Sequence, residues 1–260
     1  MITVFNLYNS IAWIAGGLIS AVISIIFLSK NPRKRLNQLF SAGFIGWSLS
    51  LIFNGINFAV AYKSLLAANI LRDICIVAGV LGAMTLFLGT IGIYFGAEKI
   101  NWFSVAIITI IAIILATLGV LNDWVVEDVI GGYKTTDNWL GKISSQVIPS
   151  LFIVVGIIFL LLTYKNSDNK AAKKRIGYFS IGFSTIIFGM LMFLIDSFIT
   201  VSPYIFLTIA ISTWAIGPIL MLIGFYVKSD ASPYEIGEQI GNLETQTLDP
   251  KQDQKLERPS

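Results

Sequence analysis

Histidine is absent from all 260 residues. Without imidazole there is no phosphohistidine chemistry, no Ser-His-Asp catalysis, no haem held by histidine and no imidazole-based zinc site. Cysteine occurs once, at Cys75 inside an apolar run, so no intrachain disulfide can form. Charge is scarce as well: Asp, Glu, Lys and Arg make up 13% of the chain, against about 25% in a soluble globule. Apolar residues take up the difference at 55%, with a mean hydropathy of +0.78. Most of this chain therefore has no water-facing side.

What is there is a succession of long apolar runs. A helix that crosses a bilayer needs about 20 mostly apolar residues. Seven stretches free of Asp, Glu, Lys and Arg meet that length: Met1–Ser29, Leu36–Tyr62, Ile74–Ala97, Ile100–Asn122, Ile143–Tyr164, Ile176–Ile195 and Ser197–Val227. None alternates with the two-residue period of a barrel strand. In hydrocarbon every backbone N–H and C=O must be paired within its own segment, which leaves helices. The fold expected is an all-α membrane protein, a seven-transmembrane-helix bundle, over residues 1–228.

Lys and Arg are distributed unevenly between the two sets of loops. One side collects Lys30, Arg33, Lys34, Arg35, Lys99, Lys165, Lys170, Lys173, Lys174, Arg175 and Lys228, and the other only Lys63, Arg72, Lys134 and Lys142. The positive-inside rule then puts the N-terminus outside and the C-terminus in the cytoplasm of a multi-pass cell-membrane protein. The positive cluster follows the first apolar run, so that run reads as an uncleaved anchor. Two non-membrane pieces remain. The loop at about 122–142 carries Asp123, Glu127, Asp128 and Asp137 with Trp124, Tyr133 and Trp139, and Gly131-Gly132 suits a turn between short strands. The segment 229–260, with Pro233, Pro250 and Pro259 and few large apolar residues, is expected to be a disordered cytoplasmic tail.

Polar residues inside spans are functional candidates. Arg72 and Asp73 stand where the third span starts, Asp196 where the sixth ends, and Asn54 and Asn57 are three apart on the second. All five fall towards the outer leaflet. They suit either a structural clasp between Arg72 and Asp196, or a shallow pocket in which Arg72 offers its planar donor fork to an anion. Gly217-Pro218 is a candidate hinge in the seventh span. Gly92 and Gly96 form a GxxxG suited to close helix approach, within the chain or to a second copy. The acidic residues lack the spacing of a calcium loop, and no cofactor or metal is implied. The last span has no mid-span lysine, so retinal held as a Schiff base is excluded.

An internal echo runs through the chain. Leu39-Phe40-Ser41-Ala42-Gly43-Phe44 opens the second span and Tyr178-Phe179-Ser180-Ile181-Gly182-Phe183 the sixth, and Gly92-Ile93-Tyr94 is matched by Gly224-Phe225-Tyr226. This suggests a three-plus-one-plus-three plan of parallel repeats, an arrangement found among transporters and other seven-helix proteins.

Two segments carry a family resemblance. Asn31-Pro32-Arg33 with Arg35, Asn37 and Phe40, and Lys174-Arg175-Ile176-Gly177-Tyr178-Phe179-Ser180-Ile181-Gly182, resemble the N-terminal seven-helix sensor region of prokaryotic membrane histidine kinases. The likeness spans roughly residues 1–228 and departs from the family in having neither the phosphorylated histidine nor an ATP-binding domain. It implies an input module: a non-enzymatic sensor that binds a small or lipid-like ligand near the outer leaflet and signals to a cytoplasmic protein. The other reading is a small-solute transporter or channel built from the triple-helix repeats. Expected partners are the lipid bilayer, a cytoplasmic signalling protein and a second copy of the chain; nothing points to nucleic acid.

Overall fold

The computed structural model describes residues 4–127, 133–196 and 205–227, and the segment expected as a tail lies outside them. Among the described residues, seven helices are long and apolar enough to cross a membrane. In chain order they are α1 (Val4–Lys30), α2 (Arg35–Ala61), α3 (Leu65–Phe95), α4 (Trp102–Val120), α5 (Trp139–Asn166), α6 (Lys170–Asp196) and α7 (Ile205–Tyr226). Two short strands, β1 (Asp123–Glu127) and β2 (Tyr133–Asp137), pair antiparallel between α4 and α5, with Asp123 opposite Asp137. The Gly131-Gly132 turn lies outside the described residues.

Local chemistry sets the helix ends. The Ser64 hydroxyl accepts from the Ala67 N–H at 3.2 Å and starts α3; the Asn101 side chain accepts from Ser104 N–H at 2.9 Å and starts α4. Asn138 does the same for α5, accepting from Gly141 N–H at 2.9 Å. Gly96 closes α3 with φ of +97°, a conformation in which an L side chain would be strained. Gly96 is thus a terminator, and the GxxxG expected there is not a helix–helix seam. Gly92 does sit at a tight contact, since a Cβ there would come within 2.7 Å of Leu36.

Several spans begin earlier than a charge-free run allows: α6 starts at Lys170, with Lys173, Lys174 and Arg175 in its first turns. α3 starts at Leu65, so Arg72 and Asp73 lie two turns inside it, and α5 starts at Trp139 with Lys142 in its first turns. Within α5 the backbone widens to a π-turn over Ile143–Val147. α3 is the most enclosed of the spans, packed against α2, α4, α5 and β1, while α4 and α5 keep most of their surface outward.

The core is aromatic and aliphatic. Phe27, Phe44, Phe183, Leu86 and Ile186 are essentially inaccessible. Small residues bring the helices together. Ser24 donates to the Ser41 carbonyl at 2.8 Å and Ser48 to the Gly17 carbonyl at 2.7 Å, tying α1 to α2.

The α2–α3 and α6–α7 pairs share a set of glycine contacts. A Cβ on Gly43 would meet Leu86 at 2.6 Å, and one on Gly182 would likewise meet Met221. The Gly43 carbonyl abuts Gly82 as the Gly182 carbonyl abuts Gly217. A Cβ on Gly89 would meet Phe40, as one on Gly224 would meet Phe179. Contact therefore sets Gly89 in correspondence with Gly224, one turn from the Gly92 that the sequence echo suggests.

Candidate functional site

The described ion pair of the bundle is built on α3. Arg72 lies two turns into that helix, on the face turned towards α2, and is 7% exposed. Its Nε donates to Asp123 Oδ1 at 3.1 Å and its Nη2 to Asp123 Oδ2 at 2.6 Å, a side-on fork gripping both carboxylate oxygens. Its Nη1 donates to Asn54 Oδ1 at 2.8 Å. Asp123 is 1% exposed. Taking two charges out of water costs several kcal/mol per ion, and only close, fully hydrogen-bonded geometry offsets it.

Asp123 is placed by the end of α4. The helix ends at Val120, and Asn122 anchors the turn that follows: its side chain donates to the Leu118 carbonyl at 2.8 Å and accepts from Asn138 at 2.6 Å. The next residue, the first of β1, is Asp123. One turn before Arg72 on α3, Asn69 reads the same strand. Its Oδ1 accepts from Val125 N–H at 2.8 Å and its Nδ2 donates to the Val125 carbonyl at 3.3 Å, as a neighbouring strand would. The β-hairpin is thereby fastened to α3 by one ion pair and one amide pair.

Of the residues singled out in the sequence, Arg72, Asn54 and Asn57 come together. Asn57 is fully buried; its Nδ2 reaches Asn54 Oδ1 at 3.4 Å, and its Oδ1 has no partner among the described residues. Asp73 is half-buried and does not line the cavity described below. Asp196 ends α6 as expected, with its side chain outside the described residues, so the carboxylate seen on Arg72 is that of Asp123. Gly217 and Pro218 lie within α7, which continues through them to Tyr226. Gly217 packs against Ile186 and the Gly182 carbonyl.

Beneath the clasp lies a cavity of about 290 Å³ between α1, α2, α3, α5, α6 and α7. Its walls are mostly apolar, and Arg72, Asn54, Ser50 and Cys75 form one polar corner. Trp13, Trp47 and Trp214 close one side, with Trp13 and Trp214 centroids 4.9 Å apart, and the Trp214 N–H donates to the Ile186 carbonyl at 3.1 Å. The π-turn contributes Ser145, Gln146 and Val147 to the lining. Such turns recur at functional sites because they re-aim side chains within a helix. Leu151 of α5 and Leu191 of α6 also line the cavity and are 56% and 50% exposed.

The sequence did not point to Asp123 as the partner, to Asn69 as a strand mimic or to the tryptophan wall. Asn69 alone carried a signal, as a polar residue on the same helical face as Arg72. Among the described residues no group of three Cys, Asp or Glu could hold a metal ion. No protein-family model matches the chain, and no curated protein matches it above chance.

Proposed function

We propose that this chain is a membrane sensor whose ligand is a small amphiphile, taken laterally from the outer leaflet into the cavity under Arg72. The observation that carries this reading is the cavity itself: mostly apolar walls, a polar corner at Arg72, and exposed leucines of two spanning helices, Leu151 and Leu191, in its lining. Its volume is at the low end of the roughly 300–1,000 Å³ of small-molecule sites, which suits one short chain or ring system. A ligand carboxylate or phosphate at the corner competes with Asp123 for the Arg72 guanidinium. Because Asp123 belongs to β1, such competition loosens the hairpin from α3, and α3 carries the change to the inner end.

The family likeness of the Asn31–Phe40 and Lys174–Gly182 segments favours the same reading, with the output passed to a cytoplasmic protein. The orientation proposed, hairpin outside and C-terminus in the cytoplasm, rests on eleven Lys and Arg in the loops and helix ends of one side against four on the other. The shared glycine contacts of α2–α3 and α6–α7 support a three-plus-one-plus-three plan. Against transport stands the closed middle of the bundle, where Phe44, Leu86 and Phe183 are 0% exposed.

Photolabelling of the protein in nanodiscs with a diazirine fatty acid tests the site. The expected result is saturable labelling of α5 and α6 around Val154 and Met190, which Val154→Phe removes. Labelling confined to the outward face of α4, at Ile110, Ile113 and Ile114, would mean solvation by lipid and no site. Uptake of a small solute by proteoliposomes, absent from empty liposomes, would replace sensing by transport.

A further inference from the structure

The opposite end of the bundle holds a second cavity, of about 530 Å³. Lys30, Lys34 and Arg175 line it, and no Asp or Glu does among the described residues. Its inner walls are aromatic: Phe40 and Phe179 meet edge to face at 5.2 Å, and Phe27 and Phe225 lie 4.1 Å apart beside them. The Lys30 ammonium is held over the Phe225 ring at 4.4 Å and the Tyr226 ring at 5.0 Å, which keeps it at the rim. The first turn of α2 also borders the hollow through Leu36 and Asn37, and no side chain caps that helix. Its N-terminal dipole adds to the positive field of the three cations.

Cations converging on a hollow with apolar walls call for a ligand with an anionic head and an apolar body. We propose that this cavity binds the phosphodiester head of an anionic phospholipid. The phosphate lies among Lys30, Lys34 and Arg175, with the guanidinium offering paired donors. The glycerol and first acyl carbons lie against Phe40 and Phe179. A free phosphate would use the cations and leave the aromatic walls empty. The leaflet rests on the orientation proposed above, which makes it the inner one, where anionic lipids attract basic segments; the binding itself does not depend on it. Nor does it depend on the outer cavity, which lies at the other end of the bundle.

The test is native mass spectrometry of the protein released from nanodiscs containing phosphatidylcholine and phosphatidylglycerol. The expected result is one retained phosphatidylglycerol, favoured about tenfold over phosphatidylcholine, with the preference lost in Lys34→Gln/Arg175→Gln. Lys165→Gln/Lys170→Gln removes two positive charges from the same end without touching the cavity and should keep the preference. Lys30→Gln/Lys34→Gln, both at exposed positions, repeats the test should the Arg175 variant fail to fold. Retention without headgroup preference would overturn the proposal. So would equal loss in the control variant, or displacement of the lipid by inorganic phosphate.

Discussion

The two ends of this bundle handle positive charge in opposite ways. At the hairpin end a single guanidinium is buried, donating to both oxygens of Asp123 and to Asn54. At the opposite end Lys30 and Lys34 stay exposed around an aromatic hollow. The buried cation needs an internal partner, because hydrocarbon offers none, and so its geometry becomes fixed. The exposed cations have no carboxylate among the described residues lining the hollow, and Lys30 is held only by two rings and a 3.5 Å bond to the Phe225 carbonyl, so they can receive an anion from outside. A fixed pair can couple two elements; an open rim can only recruit.

The largest effect expected is at the outer pair. Asp123→Ala leaves Arg72 buried without its carboxylate and should cost about 3–5 kcal/mol, read as a large fall in detergent melting temperature. Arg72→Met combined with Asp123→Leu should recover most of that loss. A melting temperature for Asp123→Ala as high as that of Lys30→Gln would erase the contrast between the ends.

Next come the matched helix pairs. A Cβ at Gly82 would meet the Trp47 backbone nitrogen at 2.7 Å, and one at Gly217 the Gly182 carbonyl at 2.8 Å. Gly82→Ala and Gly217→Ala should therefore destabilise alike, by about 1–3 kcal/mol each. One neutral and one severe outcome in thermal unfolding would show that the two pairs are not packed equivalently.

Smaller again is Asn69→Ala, which removes the amide that pairs with β1. The expected cost is about 1 kcal/mol, with faster hydrogen exchange at the Val125 amide and little change in melting. Unaltered exchange at Val125 would assign the docking of the hairpin to Arg72 alone. The least effect should come from Lys30→Gln, where an exposed cation leaves two aromatic rings at a cost of about 0.5 kcal/mol.

The seven spans were legible because lipid imposes a simple rule, long apolar runs with satisfied backbones. Their ends were less so. A charge-free criterion stops at Asp73, whereas the helix continues back to Leu65 because Asp123 and Asn54 make Arg72 tolerable inside it. The convergence of Arg72, Asn54 and Asn57 could be read from helical spacing and from their common end. Asp123 could not, because 51 residues separate it from Arg72 and a loop's contacts have no period. Trp13, Trp47 and Trp214 are buried; that they also wall a cavity depends on packing that no one-dimensional pattern records. Gly96 shows the reverse error, a motif-like spacing whose second member ends the helix.

The claim that matters most is that ligand in the outer cavity acts on the hairpin through Arg72. Hydrogen exchange of the β1 amides, followed in nanodiscs as a fatty acid is titrated in, tests it directly. The account predicts that Val125 exchanges faster, saturating at the concentration that saturates photolabelling of α5 and α6, and that Val154→Phe abolishes both. Saturable labelling with Val125 protection unchanged would contradict it, leaving a cavity that binds lipid without passing any signal to the hairpin.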